Sequence, residues 1–145
     1  MDWVRPPRVV VLDDERVIAD TLAQILRLNG CEASAVYSAA AALQYLDEEP
    51  PDLLITDVAL DPDSINGIDV AIYYERECPG CKVLLISGHA ATTDLLSNAR
   101  ATGHDFRLLQ KPVHPDELLS AVSDTLADLS RTSDTVQSPA SDLMA

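Results

Sequence analysis

The sequence predicts a doubly wound α/β domain, a five-stranded parallel sheet with helices on both faces. Two observations carry this. First, Val9-Val10-Val11-Leu12, Leu53-Leu54-Ile55-Thr56 and Val83-Leu84-Leu85-Ile86 are continuously apolar or nearly so, the pattern of strands buried on both faces of a parallel sheet. Second, these runs alternate with stretches whose apolar residues recur at helical spacing, so the chain reads as (βα) five times. Right-handed crossovers then favour the flavodoxin-like strand order 2-1-3-4-5.

Each element has its own signal. Residues 1–7 form a short lead containing Pro6-Pro7. After the first strand, Asp14 is expected to cap a helix running to about Asn29, with Ile18, Leu22, Ile25 and Leu26 on one face and Gly30 as a left-handed C-cap. Ala33 to Tyr37 is small and mixed in polarity, which suits an edge strand. Ser38 caps a second helix bearing Ala39, Ala42, Leu43 and Leu46, and Pro50-Pro51 stops it. The central strand ends at Asp57, and residues 61–67 are a loop by composition. A third helix spans about Ile68 to Glu77. Gly88 permits a tight exit from the fourth strand, and a helix of about Ala91 to Ala101 is closed by Gly103. The fifth strand covers about Arg107 to Gln110. Pro115 then opens a last helix with Glu117 in its first turn and Leu119, Val122, Leu126 and Leu129 as its buried stripe. Residues 8–130 make one domain, and residues 131–145 have little to bury and are expected to be a disordered tail or the start of a linker.

The chain has 145 residues, of which 47% are hydrophobic and 23% charged, with a net charge of −14. Such an acidic chain is a poor partner for nucleic acid or anionic membranes. No segment approaches the roughly 20 apolar residues of a membrane span, and no signal-peptide pattern opens the chain. A soluble, cytoplasmic protein is expected. Cys78-Pro79-Gly80-Cys81 reads as two reduced thiols around a helix-ending loop, because a redox C-x-x-C normally opens a helix after a strand and two further zinc ligands are missing nearby.

Chemistry concentrates at one rim. In the predicted order, Asp13, Asp14 and Asp57 lie side by side at the carboxyl ends of strands 1 and 3, the switch point where such sheets bind ligands. Three adjacent carboxylates repel one another unless a cation joins them, and an all-oxygen set of this kind suits Mg²⁺. Ser87 adds a hydroxyl and Lys111 an ammonium, groups that can hold phosphoryl oxygens. Asp57 ends the middle strand and is the candidate nucleophile for an aspartyl phosphate.

Leu12-Asp13-Asp14-Glu15, Asp57 after strand 3, Ser87-Gly88 after strand 4 and Lys111-Pro112 after strand 5 resemble the response-regulator receiver domains of two-component signalling, over roughly residues 8–130. The resemblance implies that Asp57 accepts a phosphoryl group from a sensor histidine kinase or phosphotransfer protein. It also implies that Asp13, Asp14, Asp57 and the main-chain carbonyl of Ala59 hold Mg²⁺, and that Ser87 and Lys111 bind the phosphoryl oxygens. The output would be a change in the face made by helix 4, strand 5 and helix 5, read by a downstream protein, with the domain a monomer or weak dimer and a phosphoacceptor switch rather than an enzyme. Two departures stand out. The Asp57-to-Gly67 loop is two residues longer than usual, displacing Pro62, and Leu108 occupies the place of the usual switching aromatic, with Phe106 the nearest ring. His89 borders the site, where the resemblance suggests an influence on phosphate lifetime, and a surface role is the alternative; His104, His114, Tyr73 and Tyr74 are given no chemistry. The competing readings are a pseudo-receiver that only binds protein, and a Mg²⁺-dependent aspartyl-phosphate phosphatase. The latter expects a second Asp two residues after the nucleophile, where Ala59 stands. The chain is expected either to act alone or to lead into an output domain.

Overall fold

The computed structural model describes residues 3–60, 65–88, 92–104 and 106–129, with residues 92–95 described by their backbone. The strands are β1 (Arg8–Leu12), β2 (Glu32–Val36), β3 (Leu53–Asp57), β4 (Lys82–Ser87) and β5 (Arg107–Gln110), and the helices are α1 (Arg16–Leu28), α2 (Ala39–Glu48), α3 (Gly67–Glu77), α4 (Thr92–Ala101) and α5 (Pro115–Thr125). The sheet is parallel in the order β2-β1-β3-β4-β5, as the alternation predicts. All five residues of β3 are buried, which accounts for its unbroken apolar run. β2 lies at an edge, as its mixed composition suggests.

The two sheet faces bury separate cores. On one, Val9, Val11 and Ile55 pack with Leu22 and Leu26 of α1 and Leu118 and Val122 of α5. On the other, Val10, Leu12 and Leu54 pack with Ala42 and Leu46 of α2 and Val70 and Tyr74 of α3. The Tyr74 hydroxyl donates to the carbonyl of Ala42, so the fully buried ring carries its polar tip to a partner. Beside this second core, Phe106 and half-buried Leu108 pack with Val58, Ile68, Leu85 and Ala99.

The caps follow their residue chemistry. Ser38 accepts from the Ala41 N–H, and Asn66 and Asp69 form a reciprocal capping box at the start of α3. Gly30 and Gly103 both adopt φ of 91°, a region that glycine enters without a Cβ penalty. Gly88 needs no such freedom, since its φ is not positive. Two expectations are corrected. Asp14 does not cap α1: Glu15 takes the N-cap position without a side-chain bond, because Asp13 Oδ1 already accepts the Glu15 N–H at 2.9 Å. In α5 Leu118, Ala121 and Val122 are fully buried, Val122 as expected, whereas Leu119 is only half-buried. The helix ends at Thr125, so buried Leu126 and half-buried Leu129 pack against the same core from the turn after it.

The lead is part of the body. Trp3 is buried, with its indole N–H donating to the Asn29 carbonyl, and the Val4 N–H donates to Leu129. Asp52 accepts both Arg5 guanidinium nitrogens at 2.8 and 3.0 Å and the Arg8 N–H at 2.8 Å. Pro62, His89 and the tail from residue 131 lie outside the described residues.

Candidate functional site at the carboxyl rim of the sheet

β1 and β3 end level with each other, Leu12 opposite Thr56, so the next residues, Asp13 and Asp57, reach the rim together. Oxygen atoms of Asp13, Asp14 and Asp57 lie within 4.8 Å of one another. Asp13 is fully buried and Asp57 nearly so, while Asp14 faces solvent. Lys111 follows β5, its N–H bonded to the Ser87 carbonyl at 2.9 Å. Its ammonium lies 2.9 Å from Asp13 Oδ2, 3.3 Å from Asp57 Oδ2 and 3.8 Å from Glu15 Oε1. The Lys111–Pro112 peptide is cis.

Burial and the neighbouring Asp13 charge push the Asp57 carboxyl above the usual carboxylate range, against a lowering influence from Lys111 and the Ala59 N–H. Burial alone would depress the Lys111 ammonium, but its contacts with Asp13 and Asp57 outweigh this and raise it. The three carboxylates and one ammonium leave two negative charges uncompensated. Among the described residues, Asp57 Oδ1 is buried without a hydrogen-bond partner, an arrangement that costs free energy unless a ligand satisfies it. An oxygen-only set with two surplus charges and an orphaned carboxylate oxygen fits a hard divalent cation such as Mg²⁺.

Ser87 is buried at the end of β4, one residue beyond Ile86, the partner of Asp57. Ala59 is exposed two residues past Asp57. The rim therefore gathers Asp13, Asp14, Asp57 and Lys111, with Ser87 on the adjoining strand. Two contributors were given no role of their own from sequence. Glu15 approaches the ammonium, and Gly67 passes so close to the end of β3 that a Cβ would lie 2.8 Å from the Asp57 carbonyl carbon and 2.9 Å from Thr56 Oγ1. The asparagine-glycine pair that opens α3 was the available signal for the latter.

The response regulator receiver domain model matches residues 9–123. The probable transcriptional regulatory protein TcrX of Mycobacterium tuberculosis is 31% identical over 115 residues, 79% of this chain and 47% of that protein. The nitrogen assimilation regulatory protein NtrX of Azorhizobium caulinodans is 28% identical over 77% of this chain and 24% of its own length. The chain thus spans about half or less of these curated relatives. Among solved structures, a CheY-like receiver domain protein from Methanospirillum hungatei superposes with a TM-score of 0.75 at 25% identity, covering 85% of this chain and 95% of that one. The receiver domain of NtrX from Brucella abortus gives 0.73 at 27%, covering 82% and 98%. Together with the strand order and the acidic rim, these matches place the chain in the response regulator receiver domain family of two-component signalling.

Proposed function

We propose that this domain is a phosphoacceptor switch in which Asp57 takes the phosphoryl group. The observation that carries the reading is the Asp57 carboxylate itself, buried, with one oxygen unpartnered among the described residues and the other 3.3 Å from Lys111. A carboxylate oxygen attacks phosphorus, the N–P bond of a donor phosphohistidine breaks, and the histidine nitrogen keeps the electron pair. Lys111 and Ser87 receive the phosphoryl oxygens. Asp13, Asp14, Asp57 and the Ala59 carbonyl would hold Mg²⁺, which when bound offsets the charge that accumulates on the phosphoryl oxygens. Asp13 keeps Lys111 in place before the donor arrives. The domain works on itself rather than on a separate substrate, so it is a switch and not an enzyme in the usual sense.

The donor is a sensor histidine kinase or a phosphotransfer protein, and the setting is the cytoplasm; none of the described helices is long and apolar enough to cross a membrane. The output passes through α4, β5 and α5 to a protein target, with no nucleic acid engaged by this domain, and the domain is a monomer or weak dimer.

Acetyl phosphate with Mg²⁺ and intact-mass measurement tests the assignment. One phosphoryl group is expected on the wild type and none on Asp57→Ala, while Asp13→Ala retains some labelling at high Mg²⁺. Label that survives Asp57→Ala overturns it.

A further inference from the structure

Far from the carboxyl rim, Cys78 and Cys81 meet in one turn. Cys78 is the C-cap of α3, and the Cys81 N–H bonds back to the Cys78 carbonyl at 2.9 Å across Pro79 and Gly80. An i to i+3 bond of this kind holds the two Cα atoms within about 7 Å, overlapping the roughly 4.4–6.8 Å span of disulfides. Both side chains also lie on the same side of the sheet, Cys81 inside the core that contains Tyr74 and Cys78 packed against it. The third cysteine, Cys31, belongs to the core on the opposite face, so the sheet separates it from the pair. Both thiols are free.

The two differ in access. Cys78 is half-buried, whereas Cys81 is buried, its S–H directed at the Lys82 carbonyl. Desolvation pushes the Cys81 thiol up to about 12, so at neutral pH it waits as a thiol while Cys78 meets reagents first.

We propose that Cys78 and Cys81 are a reversible redox-modification site, closing to an intramolecular disulfide by exchange with a small-molecule disulfide such as oxidised glutathione. The Cys78 thiolate, its proton released to solvent, attacks one sulfur of the reagent. The reagent's S–S bond breaks and its other half leaves as a thiolate, which takes up a proton. Cys81 then loses its proton and attacks Cys78 Sγ, expelling the second glutathione thiolate, which is protonated in turn. Two protein thiols are oxidised and one reagent disulfide is reduced to two thiols. The sequence order, helix before the motif and strand after it, does not oppose this, because the turn itself brings the residues together.

The test equilibrates the full chain in graded reduced and oxidised glutathione, quenches with acid, alkylates, and maps masses by peptide. In the wild type, Cys78 and Cys81 are expected to lose two hydrogens together within one monomer while Cys31 stays alkylated. Cys81→Ser is expected to carry a stable glutathione on Cys78, and Cys78→Ser to show at least tenfold slower modification of Cys81. The wild-type measurement decides the matter even where a variant folds poorly. A wild type that remains fully alkylated in oxidised glutathione, accumulates glutathione on Cys78, or links chain to chain overturns the proposal.

Discussion

Gly67, the first residue of α3, crosses the end of β3 so closely that it leaves no room for a methyl group against the Asp57 carbonyl. The position is set from both sides: the Gly67 N–H bonds to Val58, and the Thr56 hydroxyl bonds to the Asp57 carbonyl. Gly67→Ala must therefore move α3 or the strand end that carries Asp57. A loss of roughly 2–4 kcal/mol is expected, measurable by urea unfolding, together with slower labelling by acetyl phosphate. Unchanged stability and labelling would show that the helix start yields without strain.

Mg²⁺ should stabilise the folded chain. Asp13, Asp14 and Asp57 converge only when folded, so a cation held by them stabilises that state by an amount that grows with the logarithm of its concentration, about 2.7 kcal/mol at a hundredfold excess over Kd. The thermal midpoint is expected to rise with Mg²⁺ at neutral pH, and Asp14→Asn to shrink the rise. No Mg²⁺ dependence in the wild type would count against a preformed site.

Asp52 gives a pH signature. Although burial opposes ionisation there, the bonds from Arg5 and the Arg8 N–H hold its carboxyl below the ordinary value. A depressed folded pKa stabilises above the unfolded pKa, and the benefit is lost as pH falls through the folded one. Asp52→Asn should cost about 1 kcal/mol at pH 7, a modest figure because Arg5 is half exposed and screened. The gap between wild type and variant should close progressively below about pH 3.9. A gap that persists in acid would assign the loss to packing.

Output should pass through backbone and packing at β5. Leu108 sits half-buried beside Phe106, Leu85 and Ala99 and has no hydroxyl to expose or hide. With a beryllofluoride phosphoryl mimic, amide exchange is expected to change across residues 92–122. Changes confined to α1 would place the output face elsewhere.

What could be read in advance divides by range. The apolar runs of β1, β3 and β4 announce burial on both faces, and the rim residues follow from where those runs stop. The box of Asn66 and Asp69 was equally local, yet its composition reads as loop. Other features depend on partners distant in sequence: Trp3 finds Asn29, and Val4 finds Leu129, pairings that no periodicity encodes. The shift of α1 from Asp14 to Glu15 arises because Asp13, already drawn to Lys111, captures the Glu15 N–H as well. Leu118 rather than Leu119 is fully buried because one residue turns a helix face by about 100°, and the packing of α5 against α1 and the sheet fixes that angle.

The bond between Val4 and Leu129 also makes this domain nearly a closed loop. Residues from opposite ends of the described chain meet within hydrogen-bonding distance, so a short peptide could join them and new termini could be cut in an exposed turn such as Thr102-Gly103. A chain so permuted would keep every strand neighbour, and its acidic rim would be reached in a different order along the polypeptide. The order of synthesis and the geometry of the switch are thus separable in this domain.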